Sequence, residues 1–258
     1  METSFLALPF LAADDPMAEI LHHNVDVPFG PLGITKFTVN MWVGAAILLV
    51  LVLLAKKDSL VPKGILRGIF ESLYFFIRDE LVYPVMGEHH GRKFVPFFMT
   101  LFSYILTLNL VGLLPLPVIG GAATSQISMT GTLAIIVLAV SIGAGIVYNG
   151  PIGFLRGFMP PGVPWWVLPL IFVLELGGFF IRHAVLAVRL MANMLGGHLV
   201  VGAFLGLIFI YKTWGSAVAA VPMALFINLL EVLVALLQAY VFTLLSVLFI
   251  GGTVHPEH

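Results

Sequence analysis

Cysteine is absent from this chain, which excludes disulfides, thiolate metal sites and thiol nucleophiles together. Charge is scarce as well: 10% of the residues are Asp, Glu, Lys or Arg, 60% are hydrophobic, and the mean hydropathy is +1.09. A water-soluble domain of that composition could not cover its own apolar surface, so the sequence reads as a polytopic membrane protein. Runs of about ten residues with alternating polarity are missing, which argues against a β-barrel and leaves an all-α fold. No basic block stands out and the net charge is -1, so nothing resembles a nucleic-acid footprint. Tandem repeats, phosphate-binding loops, nucleotide sites and catalytic triads are all lacking. The pairs His22-His23 and His89-His90 have no further ligands at a recognised metal spacing, so neither a metal nor a cofactor is expected.

What remains is long apolar segments. Crossing about 30 Å of hydrocarbon takes roughly 20 apolar residues in a helix, and Thr38 to Ala55, Pro96 to Leu114 and Thr130 to Tyr148 suit one crossing each. Trp165 to Tyr211 and Ser216 to Ile250 are much longer. A continuous helix over the first of these would measure about 70 Å, so it must tilt steeply or break. A break near Arg182 to His198 would make six spans, but the final piece would hold only about thirteen apolar residues, too few to cross. The expectation is five transmembrane helices, the last two long, strongly tilted and joined as an antiparallel hairpin at Lys212-Thr-Trp-Gly-Ser216. Between the first two spans, Val61 to Tyr83 carries Ile65, Leu66, Ile69, Phe70, Leu73, Phe76 and Ile77 at intervals of three and four. Arg67, Glu71, Arg78 and Asp79 supply its polar side, the pattern of an amphipathic helix lying in the membrane interface. An extramembrane segment over 1–37, one membrane domain over 38–252 and a tail over 253–258 complete the organisation. Met1 to Ala13 is apolar with small residues but lacks the positive n-region of a secretory leader.

Basic residues set the orientation. Of the 12 lysines and arginines, Lys56, Lys57, Lys63, Arg67, Arg78, Arg92, Lys93 and Arg156 fall on one face, which the positive-inside rule makes cytoplasmic or its mitochondrial equivalent. Lys36, Lys212 and the acidic residues Glu2, Asp14, Asp15, Glu19 and Asp26 fall on the other. Five spans then put the N-terminus outside and the C-terminus inside.

Arg189 is the leading functional candidate. A charged side chain at membrane depth costs about 2.5 to 3.5 kcal/mol on insertion scales, so it persists where it has a partner or a water-filled path. Glu175, Arg182 and Arg189 are seven apart, and seven residues at about 100° each fall about 20° short of two turns, so the three share a stripe. Asn193 joins it one turn later. In the last helix Asn228, Glu231 and Gln238 share a second stripe. Folding the two helices back at a turn near residue 214 sets Arg189 level with Gln238, and His198 level with Glu231.

These residues carry a family resemblance. Arg189-Leu-Met-Ala-Asn193 followed by Gly197-His198 resembles the signature of subunit a of F-type ATP synthase. Asn109-Leu-Val-Gly-Leu-Leu-Pro115 resembles the family's third-helix motif, and Glu231 with Gln238 completes the pattern. The resemblance implies five spans, an interfacial second helix, and two tilted helices packed on a rotating ring of c subunits. It also implies partners in the peripheral-stalk b subunits and the F1 sector, within a bacterial inner (plasma) membrane or a mitochondrial inner membrane. By the same resemblance Arg189 matches the essential arginine facing the ring carboxylate, between two offset aqueous half-channels. His198, Glu231, Asn109, Asn193, Gln238 and Asn228 match the outer half-channel or its boundary, and Glu175, with Arg182 and His183 beside it, the inner one. Residues His183 to Ala187 depart from the family, which often has a proline and serines there.

The physics suits that role. Desolvation favours the protonated form of a ring carboxylate, and a guanidinium opposite it favours the ionised form without relaying a proton, because it keeps its charge. His198 and Glu231 can take and release protons on the outer path. The ATP chemistry would reside in other subunits. The competing expectations are a proton-coupled secondary transporter, for which no second copy of the Arg189 segment is visible, and a purely structural membrane subunit, which leaves the buried charge unexplained.

Overall fold

The computed structural model describes residues 36–55, 65–113, 123–159, 164, 166–211 and 213–254. Of the expected N-terminal segment over 1–37, residues 1–35, with His22, His23 and the acidic residues, lie outside the described residues, as does the end of the tail from residue 255. Within them every element is helical: α1 (Lys36–Ala55), α2 (Ile65–Phe75) running into a π-helical turn (Phe76–Val82), α3 (Tyr83–Gly112), a 3-10 turn (Ala123–Ser125), α4 (Ile127–Arg156), α5 (Leu168–Tyr211) and α6 (Trp214–Val254). Four helical stretches are long and apolar enough to cross a membrane, Arg67–Gly112, Ile127–Arg156, Leu168–Ile208 and Ala220–Val254, and Thr38–Leu53 in α1 forms a shorter one.

The amphipathic segment, described from Ile65 onward, changes character along its length. Ile65 and Ile69 are exposed, whereas Ile77, Leu81 and Val82 are fully enclosed by the bundle. Arg78 and Asp79 stay on the open side as an ion pair at 2.7 Å, the guanidinium lying over the rings of Tyr74, Phe75 and Tyr83. The helix does not stop at Tyr83; it continues to a corner at Gly87, whose φ of 69° and ψ of 165° redirect the chain into the spanning part of α3. Gly150, at φ 73° and ψ 164° and followed by Pro151, makes a matching corner near the end of α4. Both conformations belong almost solely to glycine.

α5 holds 44 residues without interruption and α6 holds 41, lengths of about 66 and 62 Å. Each is about twice the hydrocarbon thickness, which calls for a strong tilt. The six-span division therefore has no break to rest on. α5 and α6 pack together as the antiparallel hairpin, and α3 and α4 pack against α6. Phe98, Ile105 and Leu108 of α3, Val137 of α4, Leu190 of α5 and Phe242 of α6 meet in the common core. Water supplies no hydrophobic drive between helices in lipid, so close approach and interhelical hydrogen bonds hold such bundles. Small residues provide the approach: Ala235 and Ala239 are fully buried, and a Cβ at Gly251 would lie 2.7 Å from Cγ1 of Val85. Polar ties provide the rest. Asn149 donates to the carbonyl of Thr253 at 2.7 Å, the Thr253 hydroxyl donates to the carbonyl of Ser141 at 3.1 Å, and Asn109 donates to the carbonyl of Ala235 at 3.3 Å.

Candidate functional site: the α5–α6 hairpin

The seven-residue spacing of α5 produces one polar stripe on an open face. Glu175, Arg182, Arg189 and Asn193 are all exposed at the surface of this chain, as are Val185 and Val188 beside them. Glu175 and Arg182 approach each other at 3.5 Å. Among the described residues no carboxylate pairs with Arg189. Its neighbours Leu186 and Leu190 are buried against the bundle, so the guanidinium stands at the edge where the apolar outer face meets the hairpin seam. A permanent charge so placed is open to a group on another chain or to water, and lipid alone is a poor environment for it.

Along the seam the two stripes meet close to the expected register. Asn193 donates to Oε1 of Gln238 at 2.6 Å, so Gln238 pairs with the residue one turn beyond Arg189. The Glu231 carboxyl lies directly on Gly197, the neighbour of His198: a Cβ there would be 2.7 Å from Cδ and 2.9 Å from Cγ of Glu231. Glycine at 197 is thus the condition for the carboxyl to occupy the seam. Asn109 enters from α3, fully buried, and its amide reaches Ala235, midway between Glu231 and Gln238.

The hydrogen-bond balance of this cluster is the informative part. His198 Nε2, Glu231 Oε2, Gln238 Nε2 and Asn109 Oδ1 are all buried without a partner. One such atom costs about 1 to 3 kcal/mol if left dry, and buried polar groups are normally satisfied by protein or ordered water. The four atoms lie on α3, α5 and α6, helices that pack together, and each is left for ordered water to satisfy.

Two further orphans extend the set. Ser103 Oγ on α3 and Thr124 Oγ1 in the 3-10 turn are buried and unpartnered, and that turn packs against α3, α4, α5 and α1. Sequence reading missed both, because each is a single hydroxyl with no partner at helical spacing. Asn228 lies exposed on α6, outside the cluster. His183 is set apart from Glu175 and Arg182: it stands about 120° around α5 from Arg189, is buried, and packs edge-on against Phe179 and tilted against Phe249, with ring centroids at 4.9 and 5.0 Å.

Comparison with known proteins places this architecture. Residues 38–251 match the family described as ATP synthase A chain. The chain is 42% identical over 253 residues to ATP synthase subunit a of an Anaeromyxobacter species, covering 95% of this chain and 61% of that relative. It is 45% identical over 234 residues to the Anaeromyxobacter dehalogenans (strain 2CP-C) protein of the same name, covering 88% of this chain and 60% of the relative. With subunit a of Acidiphilium cryptum the identity is 39% over 237 residues, covering 88% and 92%. The chain therefore spans about three fifths of the length of the two Anaeromyxobacter relatives. On the match across all its described spans, this chain belongs to the ATP synthase A chain family.

Proposed function

We propose that the chain is the proton-translocating subunit of the membrane sector of a bacterial F-type ATP synthase, in the plasma membrane, with its N-terminus outside and its C-terminus in the cytoplasm. The observation that supports this reading is that His198, Glu231, Gln238 and Asn109, on three helices packed together, each bury a polar atom without a partner, with Arg189 exposed on α5. The open face of α5 is the surface for a ring of c subunits, each bearing a carboxylate. The peripheral-stalk b subunits and the F1 sector, which holds the ATP chemistry, complete the assembly.

In this mechanism protons enter the outer half-channel through the seam, passing between water, His198 and Glu231, with Asn109, Asn193 and Gln238 holding the water in file. A proton from there neutralises a ring carboxylate that has just left Arg189. Nine residues separate Arg189 from His198, a rise of about 14 Å, so the guanidinium lies deeper than the entry and stands between the two paths. It favours the ionised carboxylate as the ring brings one opposite, and it cannot itself pass the proton on. Release occurs on the Glu175 and Arg182 side, toward the cytoplasm. The membrane potential contributes about 2.3 kcal/mol per proton per 100 mV, and the lateral offset of the two paths converts it into ring rotation. The same machinery in reverse pumps protons when ATP is hydrolysed.

The test is Arg189→Ala in the complex reconstituted in vesicles. Coupled ATP-driven acidification should vanish while passive proton flow persists or rises; pumping near wild type would refute the assignment. Solute uptake by the isolated chain would instead favour a secondary transporter.

A further inference from the structure

Tyr148 is the place where α4 reaches α3. Both helices pack on α6 and scarcely on each other, so at their basic end the contact is made by side chains. The Tyr148 ring lies edge-on to His90 with centroids 5.0 Å apart and tilted against Phe94 at 6.4 Å, and the Lys93 ammonium stands 5.6 Å from its centre. Lys93 thus leans its charge on a ring at the membrane surface. Among the described residues no carboxylate pairs with it, nor with Arg92 beside it, and the Tyr148 hydroxyl donates to no protein group. Glu88 precedes Lys93 by five residues, which sets it about 140° around the helix. Two cations and a phenol are therefore left facing outward with no counter-charge from this chain.

Deeper in the bilayer the same helices turn apolar. Ile146 and Val147 of α4 are exposed, and a Cβ at Gly143, also exposed, would meet nothing within 4 Å, so the helix surface is recessed there. On α3, Pro96 and Thr100 are exposed one and two turns further in than Lys93. The Thr100 hydroxyl donates to the carbonyl of Pro96 at 2.8 Å, which satisfies it within its own helix and leaves nothing polar to offer a neighbour. An acyl chain suits that part of the surface and an anion suits the end above it. A zwitterionic headgroup brings its own cation and gains little from two more, whereas a headgroup of net negative charge gains from both; basic recesses between membrane helices hold such headgroups.

We propose that the basic end of the α3–α4 boundary binds an anionic glycerophospholipid, its phosphate held by the Lys93 ammonium and the Tyr148 hydroxyl with Arg92 as the second charge, and an acyl chain lying along Gly143 and Val147. The lipid ties together two helices that otherwise meet there through one ring. The site requires only that α3 and α4 cross a bilayer, and it makes no use of the half-channels.

Val147→Cys tests it in the intact complex, because this chain has no other thiol. A bimane dye is attached at 147, with the same complex lacking the substitution as the background, and the complex is reconstituted into phosphatidylcholine vesicles. Brominated acyl chains quench the dye on contact. A minor share of brominated phosphatidylglycerol should quench more than the same share of brominated phosphatidylcholine, with a relative affinity of about fivefold or more, the worth of one basic residue beside an anionic headgroup. Ile135→Cys, exposed on the same helix about 18 Å further along its axis, should show no preference. Lys93→Gln should weaken the preference at 147, and Lys93→Gln with Arg92→Gln should abolish it; both side chains are exposed, so these variants should assemble. Equal quenching by the two lipids at 147, or a preference that survives the double substitution, overturns the site. So does quenching by neither lipid, as a partner's helix seated there would give, or a preference equally strong at 135, which would mean a general attraction of the complex for anionic lipid.

Discussion

Gly197→Ala examines the seam with the smallest possible change. The added carbon would lie 2.7 Å from Cδ and 2.9 Å from Cγ of Glu231, where ordinary carbon contacts are about 3.5 to 4.0 Å. Oε1 of Glu231 lies nearer still, so the carboxyl must withdraw by more than about 1 Å. It is the far end of a flexible side chain, so the loss of stability should sit at or below the low end of the roughly 1 to 3 kcal/mol usual for overpacking. The functional loss should be larger, since a 1 Å misplacement of a reacting group can lower a rate about 100-fold. The expected outcome is a complex that assembles normally on native gels, with passive proton flow through F1-stripped vesicles falling toward that limit. Gly143→Ala, where a Cβ meets nothing within 4 Å, should behave as wild type. Adding Glu231→Asp to Gly197→Ala shortens the side chain by one methylene and should recover part of the flow. Wild-type flow in Gly197→Ala would refute the claim that the carboxyl works from its seat on residue 197.

The seam yields other expectations. Glu231→His and His198→Glu should each impair ATP-driven acidification, and the double exchange should recover more than additivity allows; strictly additive losses would count against a coupled pair. A double-mutant cycle of Asn193→Ala and Gln238→Ala should give a coupling energy near 0.6 kcal/mol in unfolding measurements, the average for interhelical hydrogen bonds in a membrane, and a value of zero would mean the 2.6 Å bond holds nothing in place. Single cysteines at Ser4 and Glu257 should label from opposite sides of sealed vesicles; labelling from the same side would contradict the proposed orientation.

Much of the site could be read from spacing because α5 and α6 are long and regular. Once a helix is unbroken, residues at intervals of seven must share a face, and Glu175, Arg182 and Arg189 do. The hairpin register was legible for the same reason: a short turn fixes which residues are level. It placed Gln238 opposite Arg189, whereas the bond observed is to Asn193, a difference of about one turn that equal tilt about residue 214 does not capture. Reading was weaker where the third dimension decides. Thr124 becomes an orphan because the 3-10 turn packs among four helices, and Ser103 because α3 is enclosed by its neighbours. His183 follows Arg182 in sequence, yet one residue is about 100° of helix, enough to turn it from the open stripe to the interior. The amphipathic helix was expected to end at Tyr83, before Pro84, but proline is tolerated where helical turns begin, and the redirection waits for Gly87.

The two glycine corners have a consequence for how the chain can be cut into membrane segments at all. Without Gly87 the stretch from Arg67 to Gly112 would be one rod of 46 residues, about 69 Å long. Such a rod would have to carry Arg78 and Asp79 into hydrocarbon or push the apolar turns of α3 into water. Gly150 separates Arg156 from the apolar part of α4 in the same manner. Both residues use a backbone conformation outside even the left-handed helical region that asparagine tolerates. No other side chain keeps the bend at low energy, so two hydrogen atoms in place of two methyl groups draw the border between what lies on the bilayer and what goes through it.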